Sequence, residues 1–456
     1  MKLSVYIVGS NPLPVLIAMC YDLKIVDGVP EDHENPSQII FVCSEDTKKY
    51  VERIKKLIEK ITIQKHIPYP KNDTVIINDA HNAQHVYKVI KDRLEKSQSI
   101  DSVFLNNTGG TKVMSVNTTL AVIDYSNKSK EIHTLLEADV DPEKKLMNIS
   151  DMNKNHDICD MWPGGNVSFD TQFGGIISLS DIIEVYDYKE VKFMDFSYTM
   201  QTKEKTLLFV KDLFIHYEAY RDFSKLFFAC KEVVENKKII SSVQTPFDAL
   251  DIKQGTLNDF FSCKKNLNKA SQVLFKLYIN NGSANCDAFM SFLKTYEIVD
   301  ENHFTDKKKL KYLTGGWLEE YFHAVLNELT GENNQYEIRH SVKIKPASAS
   351  GNTEFEIDII LRNGITTSFI SCTTDNTRGL ANHKVLEVMS NADSLGLRTQ
   401  VTLVTLASET KDGTKMDLLD RYEMFDATHY KKLKIFYLED VQDADILKDK
   451  LREMLS

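Results

Sequence analysis

Short apolar runs alternate with amphipathic stretches along residues 1–140, and this alternation constrains the fold more than any other feature of the sequence. Strands buried on both faces are continuous β-branched runs, and helices that cover a sheet repeat their apolar residues every three to four positions. Strand-like runs occupy residues 3–8, 39–43, 74–77, 102–105, 131–138 and 144–149, and helical stretches occupy 45–61, 80–95 and 112–123. The order predicts a parallel, Rossmann-like α/β sheet over residues 1–150.

The chain is too long for one ordinary hydrophobic core. Its 456 residues and 52.2 kDa predict two or three domains, because single cores stop growing beyond ~250–300 residues. The formal charge of −10 argues against a chain that coats nucleic acid non-specifically, so any nucleic-acid contact must be a local basic groove. A lysine run at 307–311 is predicted to be a solvated linker or helix face, with a phosphate contact as the alternative.

The seven cysteines lie far apart in the sequence and form no CxxC pair. An odd number without paired spacing indicates neither a disulfide framework nor a zinc ribbon, and it fits a reducing cytoplasm. No window approaches the ~18 apolar residues of a membrane span, and the N-terminus lacks the basic flank of a signal peptide. We therefore expect a cytoplasmic protein with no membrane partner.

The pattern changes twice after the first 150 residues. Residues 150–200 mix glycine, proline and short strands and predict an irregular connection, while residues 203–306 carry aromatic and apolar side chains at helical spacing. Beyond Gly315 a helix, three strands, a second helix and a further strand are predicted in that order. We therefore predict a first domain at 1–150, a connecting and helical region at 151–310, in which a winged-helix module is an option, and a last α/β domain at 311–456.

A glycine pair follows the fourth predicted strand, in the segment Thr108-Gly109-Gly110-Thr111-Lys112. Glycines let a ligand approach the backbone, and the free N–H groups and dipole of a following helix attract anions. The spacing is neither GxGxxG nor GxxxxGK[ST], so it supports neither a dinucleotide fold nor a P-loop NTPase. An anion site and an ordinary turn are both compatible with this segment alone.

A second polar loop, Gly9-Ser10-Asn11-Pro12, follows the first predicted strand. The carboxyl ends of parallel strands share one edge of a sheet, so the two loops should lie together near the topological switch point. Two glycine-containing loops on one rim favour a ligand pocket over a plain turn.

The segment from Asn107 to Lys112, together with Asn11-Pro12-Leu13-Pro14, resembles the CARF domain of type III CRISPR ancillary proteins. The likeness covers residues 1 to about 150. It implies a homodimer that binds one cyclic oligoadenylate across its two-fold axis, with cyclic tetra-adenylate as the expected ring, although the motif does not encode ring size. The resemblance assigns the contacts with the ring phosphates and riboses to Ser10, Asn11, Thr108, Gly109, Gly110, Thr111 and Lys112.

Acidic residues stand on two elements of the last predicted domain. Glu319 belongs to its first helix, while Glu356 and Asp358 alternate on its second strand, which predicts that both point to one face. Metal-dependent hydrolysis of a phosphodiester needs such carboxylate oxygens to converge on an ion. On a solvated strand edge or helix surface the same residues would carry no function, and that alternative stays open for each of them alone.

The order of these segments resembles the PD-(D/E)xK nucleases that are fused to CARF domains, over about residues 315–410. The resemblance implies a Mg²⁺ or Mn²⁺ ion held by Glu319 and Asp358, with Glu356 nearby. It also implies that the main-chain carbonyl of Cys372 is a further metal ligand.

The chain departs from that family at one catalytic position. The family has a lysine two positions beyond the site of Ser371, and this chain has Thr373, which cannot supply the cation. Lys384, on the following predicted helix, is the candidate replacement. A migrated lysine, an altered activity and a loss of activity all remain open.

The combined prediction is a cyclic oligoadenylate-activated, metal-dependent nuclease that cleaves DNA and/or RNA in type III CRISPR antiviral defence. The alternative is a cyclic oligoadenylate sensor whose degenerate nuclease domain binds nucleic acid or a partner without cleaving. Slow cleavage of the cyclic ligand in the N-terminal pocket is compatible with either.

Overall fold

Each of the six apolar runs of residues 1–150 forms a strand of one seven-stranded sheet. The structure is a computed structural model, and it describes residues 1–97, 99–129, 132, 134–141, 146–152, 158–161, 169–192, 197–236, 275, 278–279, 285–302, 305–347, 354–374, 384–390, 392, 400–409 and 433–455. The strands are β1 (Lys2–Val8), β2 (Gln38–Ser44), β3 (Lys71–Ile77), β4 (Ser102–Asn106), β5 (Thr134–Asp141), β6 (Leu146–Asp151) and β7 (Ile158–Met161).

The order across this first sheet is β3-β2-β1-β4-β5-β6-β7. The first five strands run parallel, and β6 and β7 extend the sheet in antiparallel fashion. The parallel, Rossmann-like part is therefore confirmed. Its strand order reverses between β1 and β4, which is the arrangement that creates a crevice at the carboxyl edge.

Four helices cover the two faces of the first sheet. They are α1 (Leu13–Asp22), α2 (Lys48–Lys65), α3 (Ala83–Leu94) and α4 (Lys112–Lys128). Helix α2 buries residues at positions 51, 54, 58 and 61, which is the helical spacing that predicts one apolar face. Helices α3 and α4 pack together over one face of the sheet, and α1 and α2 lie on the other.

The segment after β7 is more regular than its composition predicts. It contains α5 (Phe169–Ile176), α6 (Leu179–Val185) and β8 (Tyr188–Lys192). Two helices of eight and seven residues are too short to show a clear apolar period in the sequence. Ser178 and Asp181 form a reciprocal capping box that begins α6.

The next part of the chain is helical where the structure describes it, as predicted. It contains α7 (Lys203–Ile215), α8 (Tyr217–Asn236), α9 (Cys286–Thr295), α10 (Lys307–Lys311), a π-helical turn (Tyr312–Gly316) and α11 (Trp317–Thr330). Its described aromatic side chains pack in a hydrophobic core. Trp317, for example, is fully buried and donates its indole N–H to Tyr220 Oη over 2.9 Å.

A second sheet of six strands follows, in the order β13-β12-β11-β10-β9-β8. Its remaining strands are β9 (Tyr336–Pro346), β10 (Phe355–Asn363), β11 (Thr366–Thr373), β12 (Gln400–Thr405) and β13 (Leu433–Phe436), and α12 (Leu438–Val441) and α13 (Ala444–Leu455) end the chain. Residues 384–390 are helical and precede β12. The predicted order of helix, three strands, helix and strand is confirmed, and β8 joins the sheet as an edge strand from the segment before it.

The segment from α5 to β8 connects the two sheets. One apolar cluster contains side chains from the first sheet, from α6 and from the facing side of the second sheet. At its edge Arg53 of α2 donates to Glu184 over 3.0 Å and to Asp187 over 3.2 Å. From the other side Arg339 of β9 donates to the Ser180 hydroxyl over 3.0 Å. Helix α6 is therefore held by both sheets.

None of the helices in the described ranges has the length and apolar content that a bilayer crossing requires.

A buried ion pair lies beneath the first sheet, at the edge opposite the glycine loops. Lys2 Nζ lies 2.6 Å from Asp22 Oδ1, and both side chains are almost completely buried. Asp22 Oδ2 also accepts hydrogen bonds from Ser4 (2.5 Å) and Tyr6 (2.6 Å). Lys2 donates to the main-chain carbonyl of Glu34 over 2.6 Å. Each charge is thus compensated by its partner and by hydrogen bonds.

We predict that Asp22→Ala destabilises the first sheet by about 3–5 kcal/mol, because it leaves the Lys2 ammonium buried without its counter-ion. Urea unfolding followed by circular dichroism would measure the loss. Asp46→Ala, at an exposed carboxylate, is the matched control and should change stability by less than about 0.5 kcal/mol. A loss of under about 1 kcal/mol for Asp22→Ala would contradict the prediction.

Candidate functional site

The two glycine loops meet at the carboxyl edge of the first sheet, between β1 and β4. A cavity of about 330 Å³ lies at this switch point. It is lined by Gly9, Ser10, Asn11, Pro14, Thr108, Gly109, Gly110, Asp139, Val140 and Asp141. Five of the seven residues predicted to bind a ligand are among them, and the sequence-based placement of both loops on one rim agrees with this geometry.

The glycines are required because the two loops touch. A Cβ on Gly109 would overlap the carbonyl of Ile7 in β1, and a Cβ on Gly9 would lie 2.5 Å from the main-chain nitrogen of Gly110. Gly110 has a φ of 75°, a left-handed conformation that favours glycine. The close approach of the loops leaves their main-chain atoms exposed to the cavity instead of side chains.

Thr108 joins the glycine loop to β5. Its hydroxyl accepts hydrogen bonds from Val140 N (2.9 Å) and Asn106 Nδ2 (3.1 Å) and lies 3.3 Å from Asp139 Oδ1 as donor. Asp139 and Asp141 bring carboxylates to the cavity wall, which the sequence analysis did not include. A ligand that fits must therefore offer hydrogen-bond donors, such as amino or hydroxyl groups, as well as anionic groups for the N–H side.

Thr111 and Lys112 have a different position from the other predicted ligand residues. Thr111 caps α4 by accepting a hydrogen bond from Met114 N over 3.2 Å, and its hydroxyl donates to the carbonyl of Ala80 over 3.0 Å. Lys112 is exposed at the first turn of α4. Neither residue lines the cavity, so Thr111 fixes the loop and Lys112 stands outside the rim.

Asn11 links the cavity to the segment between the sheets. Its side-chain oxygen accepts hydrogen bonds from Leu13 N (3.2 Å) and from the Tyr186 hydroxyl (2.6 Å). Tyr186 follows α6 and stands two residues before β8, the edge strand of the second sheet. Sequence reasoning missed Tyr186 because a contact across 175 positions leaves no local signal.

The second group of predicted residues gathers around Asp358 of β10. Asp358 Oδ2 accepts a hydrogen bond from Ser371 Oγ over 3.0 Å and another from Cys372 N over 2.8 Å. Both bonds go to the same oxygen, so neither occupies Oδ1. Ser371 and Cys372 are buried in β11 and hold the carboxylate in place.

Glu319 and Lys384 act on Asp358 electrostatically. Burial and the negative charge of Glu319 raise the pKa of Asp358 to about 6, against the opposing effects of the Cys372 N–H, Lys384 and Ser371. Burial alone would lower the pKa of Lys384, but Glu387, Asp358 and Glu319 together raise it above its ordinary value. Lys384 Nζ lies 3.1 Å from Glu387 Oε2. The structure therefore places Lys384 close enough to interact with both predicted metal ligands.

Glu356 and Thr373 contact the group around Asp358 less closely than Ser371 and Cys372 do. Glu356 is exposed, and its Oε2 lies 3.4 Å from Lys343 Nζ of the neighbouring strand, whereas Asp358 is partly buried. The two carboxylates therefore have separate partners. Thr373 ends β11, and its main-chain carbonyl accepts a hydrogen bond from Leu406 N over 3.3 Å.

His340 of β9 is a site residue that the sequence analysis missed. Its Nε2 lies 3.1 Å from Glu319 Oε2, and it pairs across the sheet with Ile359, next to Asp358. The following residue, Ser341, has a φ of 50°, a rare left-handed conformation for a buried strand residue. Backbone strain of this kind is concentrated at functional sites. It could not be predicted from the local sequence.

The start of α11 is anchored so that Glu319 points away from the helical core. Glu320 is buried, and its carboxylate accepts hydrogen bonds from the main-chain N–H (2.8 Å) and the hydroxyl (2.6 Å) of Thr199. The preceding π-helical turn contacts the end of β11, where Thr374 Oγ1 donates to the carbonyl of Thr314 over 3.2 Å. The chain is kinked in this turn, because Gly315 has a non-helical φ of 167°.

The donors around Asp358 suit a hard divalent cation. Two carboxylates that repel each other, with a main-chain carbonyl nearby, are the oxygen ligands that Mg²⁺ takes, and it usually completes its shell with water and substrate phosphate. Within the described ranges no three acidic, histidine or cysteine side chains are grouped as a ready metal cage. The described side chains therefore do not form a closed structural metal site, and an ion held by Glu319 and Asp358 would have to take its other ligands from elsewhere.

Comparison with known proteins identifies the first domain. Residues 21–157 match the protein family described as Card1 CARF domain. The N-terminal part of the chain is therefore a CARF domain, and the match includes the Gly109-Gly110 loop but not the loop at residues 9–11. No curated protein matches the sequence.

Two solved structures resemble the whole chain. Protein VC1899 from Vibrio cholerae superimposes with a TM-score of 0.62 and 13% identity over 100% of this chain and 98% of its own. Can2 from Sulfobacillus thermosulfidooxidans, solved in complex with cyclic tetra-adenylate, gives 0.59 and 12% over 100% of both chains. At these identities the likeness shows a common fold of the first and second sheets together.

We predict that Asp358→Asn stabilises the protein at pH 7. A carboxyl group whose pKa is raised on folding contributes stability below its unfolded-state pKa and loses it as the pH rises through about 6. The amide oxygen can still accept from Ser371 and Cys372, and the charge next to Glu319 disappears. We expect a gain on the order of 1 kcal/mol at pH 7 in EDTA, measured by thermal unfolding.

The gain should vanish near pH 4, where the wild-type carboxyl group is already protonated. Glu332→Gln, at an exposed carboxylate after α11, is the control. Destabilisation by Asp358→Asn at pH 7, or an equal gain at both pH values, would show that Asp358 is an ordinary structural carboxylate.

Proposed function

We propose that the CARF domain of this chain binds a cyclic oligoadenylate in type III CRISPR defence. Binding then activates the domain built on the second sheet, which cleaves nucleic acid in a metal-dependent reaction. The observation that carries the proposal is that one chain contains both a glycine-loop pocket at the switch point of the first sheet and a charge-coupled pair of carboxylates, Asp358 of β10 and Glu319 of α11. Neither feature is needed for folding alone.

The N-terminal pocket suits a cyclic oligoadenylate chemically. Main-chain N–H groups near Gly109 and Gly110 complement phosphates, and the carboxylates of Asp139 and Asp141 complement amino and hydroxyl groups, which adenosine supplies. Can2, whose fold this chain shares, was solved with cyclic tetra-adenylate. Cyclic tetra-adenylate is therefore the ligand we propose first, with the ring phosphates on the N–H side.

We further propose that the chain acts as a homodimer through the outer face of α4. Val116 and Leu120 are 56% and 49% exposed, lie one turn apart, and belong to the helix that starts at the glycine loop. The opposite face of α4 is already buried against the sheet through Met114 and Ala121. A two-fold pairing of this face would cover the apolar residues and bring two glycine loops towards one cyclic ligand.

Leu120→Lys should weaken the dimer roughly tenfold or more, because an unpaired buried charge costs more than about 1.4 kcal/mol. Sedimentation velocity over a concentration series would measure the dissociation constant. Ile63→Lys, at another exposed apolar residue, should leave it unchanged. A dimer that tolerates Leu120→Lys, or a wild-type chain that stays monomeric with ligand, would exclude this face.

The two sites are connected through Tyr186. The Asn11 side chain faces the cavity and is held by the Tyr186 hydroxyl. The same segment is fixed to β9 through Arg339 and Ser180, and β9 carries His340 and Ser341 of the second site. A ligand that draws Asn11 towards itself would change this bond, and differential affinity for the two states supplies the energy of switching.

In the second site we assign the metal to Glu319 and Asp358, with the carbonyl of Cys372 as a further ligand. A bound Mg²⁺ or Mn²⁺ would supply Lewis-acid activation of the phosphodiester. Ser371 and Cys372 hold Asp358 by hydrogen bonds, and His340 Nε2 lies 3.1 Å from the Glu319 carboxylate. Lys384 supplies the positive charge that Thr373 cannot, and Glu356 stands at the exposed edge of the same strand.

A second candidate function is a sensor that binds nucleic acid without cutting it. It is favoured by Thr373 at the usual lysine position and by the pairing of Lys384 with Glu387. In that case Asp358 and Glu319 are remnants of an ancestral site. The two candidates differ in one observable, which is turnover.

Incubation of the protein with Mg²⁺ or Mn²⁺ and labelled DNA or RNA, with and without cyclic tetra-adenylate, tests the proposal. We expect cleavage that requires the ligand. Asp358→Ala should reduce it to background, since losing a metal ligand removes a main source of rate enhancement, typically 10²-fold or more. Gly109→Ala should abolish the response to ligand because its Cβ overlaps Ile7.

Glu332→Gln should cleave at the wild-type rate. Binding of ligand and DNA without cleavage under any metal condition, persisting even after Thr373→Lys, would favour the sensor. No binding of cyclic tetra-adenylate or cyclic hexa-adenylate by calorimetry would overturn both candidates.

A further inference from the structure

We propose that two exposed lysines of α10, Lys308 and Lys311, form a basic patch that holds the sugar–phosphate backbone of a nucleic-acid strand beside the second site. The inference rests on the proposed function and names the surface through which its substrate is bound. It takes up the alternative interpretation of the lysine run, a phosphate contact.

The geometry of α10 fixes which lysines face outwards. Asp306 caps the helix by accepting a hydrogen bond from Lys309 N over 2.8 Å, and Leu310 is buried in the core below it. Lys309 turns sideways and donates its ammonium to the carbonyl of Glu297 over 2.6 Å. Lys308 and Lys311, three positions apart, remain exposed on one side of the helix.

The patch adjoins the second site through continuous backbone. Lys311 is followed directly by the π-helical turn and then by α11, which carries Glu319. The same turn contacts the end of β11 through Thr314 and Thr374.

The charges of the patch are not neutralised by any ion pair within the described part of the chain. Other lysines around the second sheet and helical layer do have such partners: Lys343 with Glu356, Lys448 with Glu328, and Lys294 with Glu301. In a chain of net charge −10, a polyanion can approach an acidic site only over a local positive surface. Two exposed cations on the helix that leads into α11 provide one.

The alternative is that Lys308 and Lys311 lie on a solvated helix face and do not contact phosphate. The difference is measurable, because a phosphate contact releases counter-ions and therefore sets the salt dependence of binding. Two ordinary surface lysines elsewhere on the chain change the net charge equally without changing the contact.

Fluorescence anisotropy of a labelled oligodeoxythymidylate, in EDTA and over a series of NaCl concentrations, tests the patch. Lys308→Glu/Lys311→Glu should weaken binding at least tenfold and lower the slope of log affinity against log salt by about 1–2. Lys56→Glu/Lys88→Glu, on exposed positions of α2 and α3, changes the net charge identically and should leave the slope at the wild-type value.

Parallel arms with an oligouridylate and a DNA duplex identify which backbone is preferred. An equal loss in both double variants, unchanged binding in the α10 variant, or no binding by the wild-type chain would overturn the patch. Because EDTA removes metal, the result does not depend on cleavage. Binding that requires Lys308 and Lys311 in a chain that never cleaves would support the patch and reject the nuclease.

Discussion

The contact between two main-chain turns, at Gly9 and at Gly109-Gly110, is the constraint on which the N-terminal site depends. Side chains at these positions would overlap β1 or the opposite loop, so only glycine permits the loops to meet at the switch point. Both loops line the cavity at this contact. Asn11, held in the same rim, extends the contact through Tyr186 to the segment that carries β8.

The second site is shaped by unfavourable interactions, namely backbone strain and the repulsion between two carboxylates. Asp358 has a raised pKa beside Glu319, and Ser341 is held in a left-handed conformation next to His340. Such features reduce stability and are retained where function requires them. The shared apolar cluster, the Arg53–Glu184 ion pair and the hydrogen bond from Arg339 to Ser180 join this region to the first sheet through α6.

Periodicity predicted β1 to β6 and β9 to β12, because these strands are of ordinary length and regular helices lie between many of them, but it did not predict β7 or β13. It also placed Gly109 just after the end of a strand and Asp358 on one face of another strand, where a site is expected. It failed for α5, α6 and β8, which are too short to show a period. It also missed Tyr186 and His340, because their roles come from contacts between distant segments that only the folded chain brings together.

Hydrogen–deuterium exchange of the whole chain, with and without cyclic tetra-adenylate, tests the central claim most directly. The account predicts slower exchange in the loops at 9–11 and 108–111, together with altered exchange at 186–192 and 338–342 in the second sheet. A Tyr186→Phe variant should keep the first change and lose the second. Exchange that is unaffected by the ligand, or a change confined to the two loops of the wild-type chain, would contradict the account.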